Sequence, residues 1–201
     1  MRVLFIGNSH TYFNDMPKTF REIAMGNGIE TEVTMLSHGG MGFDYHAEQP
    51  EASFNILYGN YDFIVLQHVA HPFGDEEVMF RAAHKLNDWI RQTSSKAVLY
   101  MTWPEKRNPQ GLARMADAYL RLGRELPATV APVGLAWHRY GEAHTPDALY
   151  FTDGEHASPL GSRLAAYTIF AAITRREPRP LQAEDAPLIQ CAWAETSPLL
   201  T

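Results

Sequence analysis

Residues 3–11 read Val-Leu-Phe-Ile-Gly-Asn-Ser-His-Thr, an apolar run that ends in a polar turn. Four consecutive apolar residues that stop at a turn signal are typical of a short strand buried on both faces of a sheet. Gly7 and Asn8 tolerate the backbone angles of a sharp turn, so the strand presents Ser9 at its carboxyl end. Ligands bind at that edge of open α/β sheets. Ser9 is therefore a candidate nucleophile, and the structural alternative is a cap for a following helix.

The rest of the chain alternates between strand-like and helix-like patterns. Short apolar runs predict four more strands, at residues 31–36, 61–67, 96–103 and 129–134. Apolar residues at helical spacing predict helices at residues 15–26, 47–57, 75–92, 110–126, 135–140, 158–177 and 186–194. This alternation indicates the α/β class, as a three-layer α/β/α sandwich around a five-stranded, mostly parallel sheet. We expect one domain over residues 1–201, with residues 178–201 as a C-terminal tail that packs on it.

Composition excludes several kinds of protein. The 201 residues include 17 basic and 23 acidic side chains, a net charge of −6, which argues against nucleic acid or a membrane surface as partner. No apolar run reaches the roughly 18 residues of a membrane span. The first strand begins at residue 3 and leaves no room for a signal peptide, so a cytoplasmic protein is expected. The single cysteine, Cys191, excludes an internal disulfide and a cysteine-built zinc site.

Polar and glycine-rich turns follow the predicted strands at their carboxyl ends. The side chains and turns concerned are Ser9 after the first strand, Gly39 and Gly40 after the second, Gln67 after the third, and Asp153 and His156 in the last loop. These ends share one edge of a parallel sheet, so residues far apart in sequence can meet there. The pattern predicts a functional site at this edge.

The residues at this edge suit ester hydrolysis by a serine. That reaction needs a hydroxyl, a base and hydrogen-bond donors for the oxyanion. His156 is the candidate base, and Asp153, three residues earlier, can orient its imidazole. The N–H groups of Ser9 and Gly40, with the side-chain amide of Gln67, are candidate oxyanion donors. His68 and Trp103, which also follow strands, complete the predicted substrate-binding residues.

Structural roles are the alternatives for the same residues. His156 could cap the final helix, and Gly39 and Gly40 could serve only as a turn. Gln67 could be a buried, hydrogen-bonded amide, and Trp103 a core side chain with its indole N–H satisfied.

The histidines raise the question of a metal. His68 and His71 form a His-x-x-His pair, with His10 and His38 as further candidates, but no His-Glu-x-x-His motif is present. A zinc site usually has three protein ligands with matching partners behind them. We expect no metal and no other cofactor, and we interpret these histidines as pocket walls or partners of the backbone.

Three sequence blocks resemble those of the SGNH (GDSL-like) hydrolases. They are Gly7-Asn8-Ser9, Gly40 after the second strand, and Asp153-Gly154-Glu155-His156, and they occur in the family's order. The resemblance implies a flavodoxin-like sandwich and a serine esterase, acetylesterase or lipase without a metal. Asn8 stands where many members have Asp. The family usually places Asn after strand three, where this chain has Gln67, whose amide lies one methylene further out.

These observations predict a serine hydrolase that cleaves carboxylic esters through a Ser-His-Asp triad and an acyl-enzyme. Small esters with acetyl or other short acyl groups, including acetylated sugars, are the expected substrates. One rival is a non-catalytic ligand- or glycan-binding module on the same fold. The other is a histidine-based metallohydrolase. The sequence predicts no oligomeric state.

Overall fold

A computed structural model describes residues 1–200 and contains a single five-stranded parallel sheet in that range. The strands are β1 (Arg2–Gly7), β2 (Glu32–Ser37), β3 (Phe63–Leu66), β4 (Lys96–Tyr100) and β5 (Thr129–Ala131). Their order in the sheet is β2-β1-β3-β4-β5, and every neighbouring pair is parallel. The predicted α/β class and five-stranded parallel sheet are therefore confirmed.

Helices lie on both faces of the sheet. The α-helices are α1 (Ser9–Tyr12), α2 (Met16–Gly26), α3 (Phe43–His46), α4 (Pro50–Tyr58), α5 (Glu76–Ile90), α6 (Gly111–Glu125), α7 (Val133–Ala143), α8 (Pro159–Thr174) and α9 (Ala186–Thr196). Short 3₁₀ turns occupy Phe13–Asp15, Pro146–Leu149, Ala183–Asp185 and Ser197–Leu199. No helix within residues 1–200 is both long and apolar enough to cross a membrane.

Residues 3–6 of β1 are all apolar because the strand has a neighbour on each side and a layer of helices on each face. Val3 pairs with Val33 of β2 and with Phe63 of β3. The side chains of β1 alternate between two core clusters, one that contains Val3 and one that contains Leu4. Val3 and Leu4 are both fully buried. This position carries the end of β1 to the carboxyl edge of the sheet, as the apolar run predicts.

Several predicted elements differ from the observed ones at their ends. The strand predicted over residues 129–134 ends at Ala131, and α7 begins at Val133. The helix predicted over residues 47–57 corresponds to α4, which begins only at Pro50 because proline has no N–H to continue a helix and instead occupies the first turn; α3 is a separate helix that ends before this range. The predicted fourth strand, residues 96–103, ends at Tyr100. The helix predicted to begin near residue 15 is preceded by α1, which starts at Ser9.

The last segment of the chain lies against α7 and α8. Leu188, Ile189 and Ala192 of α9 belong to the core cluster that contains Val3 of β1. Asp185, which is fully buried, accepts hydrogen bonds from Arg163 Nε at 2.9 Å and from the Tyr167 hydroxyl at 2.7 Å. Apolar burial and this buried carboxylate together hold the segment on the helical layer.

Candidate active site

Ser9 opens a helix at the end of β1. The helix cap is Asn8, whose backbone is extended and whose side-chain oxygen accepts the His10 N–H at 3.0 Å. Ser9 is thus the first residue inside α1 and not its cap, which removes the structural alternative for this serine. The N–H of a first helical residue has no partner within its own helix, so the Ser9 N–H is available as a donor.

Ser9, His156 and Asp153 form a continuous hydrogen-bonded chain. His156 Nε2 lies 2.8 Å from Ser9 Oγ, and His156 Nδ1 lies 2.7 Å from Asp153 Oδ2. A carboxylate accepts only, so the proton sits on Nδ1 and Nε2 is left to accept from the serine hydroxyl. The structure therefore brings together all three residues of the predicted triad, in the tautomer that a general base needs.

Asp153 is held as a carboxylate by the turn that follows it. Its Oδ1 accepts the N–H groups of Glu155 and His156, both at 2.9 Å, across Gly154, which has a left-handed φ of 72°. Partial burial alone would raise the pKa of Asp153. The hydrogen bonds from Glu155 and His156 outweigh that effect and lower the pKa to about 2. Asp153 is consequently charged at neutral pH.

The His156 ring lies between two aromatic rings. Phe13 stacks on it at 4.3 Å between centroids, and His10 stacks at 5.1 Å. Burial lowers the pKa of His10 to about 3, and the charges of His71 and His156 add to the effect. His10 is therefore neutral at neutral pH and adds no positive charge beside His156.

Two side chains hold the loop that carries Asp153 and His156. Trp103, fully buried and stacked on Trp137 at 3.9 Å, donates its indole N–H to the Glu155 carbonyl at 2.9 Å. It lies behind this loop, which matches the core alternative and not the pocket wall expected from its position after the fourth strand. Asn14 donates to the Ala157 carbonyl at 2.9 Å, so it ties the segment after Ser9 to the residue after His156.

The side-chain amide of Gln67 does not face the site as an oxyanion donor. Gln67 is fully buried, and its oxygen accepts the Asn8 N–H at 2.8 Å and the Thr11 hydroxyl at 2.9 Å. Its NH₂ group donates to the His68 carbonyl. The predicted donor role is thus wrong for this conformation, because the amide is already bonded to the backbone, as in the structural alternative.

His68 holds the loop after β2 through one nitrogen of its ring. It is 3% exposed, and its Nδ1 accepts the Phe43 N–H at 2.9 Å. This bond to the backbone is one of the two roles expected of these histidines.

The loop after β2 lies beside the Ser9 segment. Gly39 and Gly40 are exposed, and Gly40 has a left-handed φ of 72°, which favours glycine. The Asn8 side chain donates to the Met41 carbonyl at 2.9 Å. This bond places the glycine turn next to the turn that presents Ser9.

The remaining histidines bond to the backbone or to a carboxylate. His71 donates from Nε2 to the Trp103 carbonyl at 3.0 Å, His46 donates to the Gly7 carbonyl at 2.9 Å, and His38 pairs with Glu51 at 2.5 Å. The His-x-x-His pair therefore serves two different loops. No group of three His, Cys, Asp or Glu side chains within residues 1–200 is arranged to hold a metal ion.

Known proteins resemble this chain in structure more than in sequence. No protein-family model and no curated protein sequence matches it. A proposed SGNH hydrolase from Slackia heliotrinireducens is 27% identical, with a TM-score of 0.74 over 86% of this chain and 98% of its own. A DUF4886 family protein from Bacteroides uniformis has a TM-score of 0.82 at 18% identity, over 98% of this chain and 93% of its own. A carbohydrate esterase of family 3 from Talaromyces cellulolyticus has a TM-score of 0.69 at 12% identity, over 87% and 97% of the two chains.

Proposed function

We propose that this chain, which has an SGNH-type hydrolase fold, is a serine esterase with Ser9 as nucleophile, His156 as general base and Asp153 as the orienting acid. The observation that carries the proposal is the unbroken chain of hydrogen bonds from Ser9 through His156 to Asp153, at 2.8 and 2.7 Å. The similarity to esterases of the same fold supports the reaction class.

The arrangement supports a double displacement. Ser9 Oγ attacks the acyl carbon while His156 Nε2 takes the hydroxyl proton, and the carbonyl oxygen becomes an oxyanion. The oxyanion collapses, the bond to the alcohol breaks, and His156 returns its proton to the leaving oxygen. Water then attacks the acyl-enzyme with His156 again as base, and the acid and free Ser9 are released. Asp153, charged at neutral pH, stabilises the imidazolium in both halves.

Backbone N–H groups are the proposed donors to the oxyanion. Ser9 contributes the free N–H of a helix start, and Gly40 contributes an N–H from the adjacent glycine turn. Each such donor is typically worth about 10²–10³ in turnover.

The rim around Ser9 favours a small ester. Tyr12, Met41 and Phe151 are exposed by 37%, 39% and 44%, and Phe151 packs edge-on against Phe13, the ring that stacks on His156. An open apolar rim suits a short acyl group, and it leaves the alcohol side free to be a bulky molecule such as a sugar. We propose acetyl or other short acyl esters as substrates.

Kinetics of Ser9→Ala test the proposal. We expect wild-type protein to hydrolyse p-nitrophenyl acetate and the variant to lose about 10⁴-fold or more in kcat with its fold intact. Full activity in Ser9→Ala would refute the assignment. A non-catalytic binding module predicts no turnover by either protein, and a metallohydrolase predicts loss of activity with a chelator, which a serine esterase withstands.

A further inference from the structure

Gln67 and His68 are consecutive residues directly after β3, and each holds a different neighbouring segment. Gln67 bonds to the Ser9 turn, which we define as residues 7–11. His68 bonds to the glycine loop, which we define as residues 39–43. Both side chains are buried, and all the hydrogen bonds that they make go to protein groups within residues 1–200.

The contact between Gln67 and the Ser9 turn is close and fully satisfied. The amide oxygen accepts from Asn8 N at 2.8 Å and from Thr11 Oγ1 at 2.9 Å. A Cβ added to Gly7 would lie 2.5 Å from this oxygen, so only glycine permits the approach. The glycine of the first sequence block is thus explained by the close approach of Thr11 Oγ1 and Gln67 Oε1. One amide oxygen bonds to the backbone before Ser9, at Asn8, and to the side chain after it, at Thr11.

The contact between His68 and the glycine loop is built in the same way. Nδ1 accepts the Phe43 N–H at 2.9 Å, and a Cβ added to Gly42 would lie 2.7 Å from His68 Cε1. Burial lowers the pKa of His68 to about 4, so the ring is neutral at neutral pH, and because Nδ1 faces the Phe43 N–H the remaining proton lies on Nε2. The imidazole therefore fixes the end of the glycine loop.

Hydrogen bonds close a ring around the site. The Asn8 side chain donates to the Met41 carbonyl at 2.9 Å, which joins the Ser9 turn directly to the glycine loop. The path runs from the Ser9 turn through Gln67 and His68 to the glycine loop and back through Asn8. A closed path of this kind fixes a separation better than a single bond does, because no one side chain can move alone.

We propose that Gln67 and His68 are positioning residues that hold the Ser9 turn and the glycine loop at a fixed separation, so that backbone N–H groups of both segments converge on the oxyanion. This inference rests on the proposed esterase function. The bonds on which this role depends, to Asn8, Thr11 and Phe43, are made within the protein. Their role is to give two backbone donors a geometry that is set before the substrate binds.

His68→Phe is the principal test. Phenylalanine keeps a ring against Gly42 but removes the acceptor for the Phe43 N–H. We expect kcat for p-nitrophenyl acetate to fall by about 10²-fold, as for a misplaced oxyanion donor, while KM stays within about twofold. His68→Asn returns an acceptor oxygen near the position of Nδ1 and is expected to recover kcat to within about fivefold of wild type.

Two further variants separate this effect from a loss of stability. Ile90→Ala removes a buried side chain at the end of α5, in the core cluster that also contains Leu4 and Phe43. This variant is expected to lower the melting temperature without changing kcat. Thr11→Val removes one of the two donors to Gln67 with little change in volume, and is expected to lower kcat about threefold to tenfold at constant KM. If His68→Phe does not fold, the kcat of Thr11→Val is the measurement that tests the positioning role.

The outcomes are distinct. Folded variants with wild-type kcat, or a loss that lies in KM alone, would overturn the positioning role and leave the esterase intact. A wild-type protein that neither hydrolyses esters nor reacts with a fluorophosphonate would overturn the proposed function, and this inference with it.

Discussion

Replacing Asp153 by asparagine separates the charge of the carboxylate from the shape of its loop. The amide oxygen of Asp153→Asn can still accept the N–H groups of Glu155 and His156, which lie 2.9 Å from Oδ1. Its NH₂ group would face His156 Nδ1, 2.7 Å from the present Oδ2. Because two donors cannot share this bond, the imidazole must present an unprotonated Nδ1 and carry its proton on Nε2. The nitrogen that faces Ser9 is then no longer a base.

The expected loss in kcat follows from that tautomer. In a buried triad the corresponding change costs about 10⁴-fold. The Asp153 side chain is 39% exposed, so water can take over part of its role, and we expect a loss of about 10³–10⁴-fold. KM should change by less than about threefold, because the variant alters proton transfer and not the rim where substrate binds.

Thermal unfolding gives a second readout with a defined sign. The pKa of Asp153 is lowered in the folded protein, from its ordinary 3.8 to about 2. The stabilisation from the carboxylate is therefore complete above pH 3.8 and is lost as the pH falls towards 2. The difference in melting temperature between wild type and Asp153→Asn should accordingly narrow between pH 5 and pH 2.

Asp147→Asn is the matched control. Asp147 lies in the same region and pairs with Lys106 at 2.8 Å, but it touches no member of the triad. Its variant should keep kcat within about twofold of wild type, since an exposed ion pair contributes little. Turnover by Asp153→Asn within tenfold of wild type would refute the reasoning, because Asp153 would then set neither the tautomer nor the charge of His156.

Three further changes test other parts of the structure. His10→Phe keeps an aromatic ring stacked on His156. Because the pKa of His10 is already about 3, the acid limb of the plot of kcat/KM against pH should not move. A shift of that limb would show that protonation of His10 affects the rate. Asn14→Ala removes the hydrogen bonds to the Ala157 carbonyl and to Ser162 Oγ and should lower kcat about tenfold. A kcat equal to that of wild type would show that Asn14 does not position the His156 loop. Asp185→Ala leaves Arg163 and Tyr167 without a buried partner. It should lower the free energy of unfolding by about 2–4 kcal/mol in denaturant titrations and leave kcat unchanged. A loss below about 0.5 kcal/mol would show that this carboxylate does not hold the C-terminal segment.

The sequence contains most of the information about the fold and the reacting residues. An uninterrupted apolar run such as residues 3–6 is stable only with strands on both sides and helices on both faces, so it predicts the centre of a parallel sheet. Strand ends of such a sheet meet at one edge, which makes Ser9 and the loop of Asp153 and His156 neighbours although they are about 150 positions apart.

The direction of a polar side chain is not contained in the same patterns. Gln67 stands at the expected strand end, but its amide turns inward because Gly7 lets it reach the Asn8 N–H. Asn14 acts through a contact with Ala157, 143 positions away, and the only local signal is its left-handed backbone, which asparagine tolerates. Trp103 follows a strand like a pocket residue, yet it is buried by its stacking on Trp137. Each of these outcomes depends on packing between distant segments.

Reaction with a fluorophosphonate, followed by peptide mapping in a mass spectrometer, shows whether Ser9 is an activated nucleophile. The reagent forms a covalent bond only with a hydroxyl that a neighbouring base activates. We expect one phosphonyl group per chain, located on Ser9, and none on Ser9→Ala or when His156 is replaced by alanine. An unmodified chain, or a modification at another residue while ester hydrolysis continues, would contradict it.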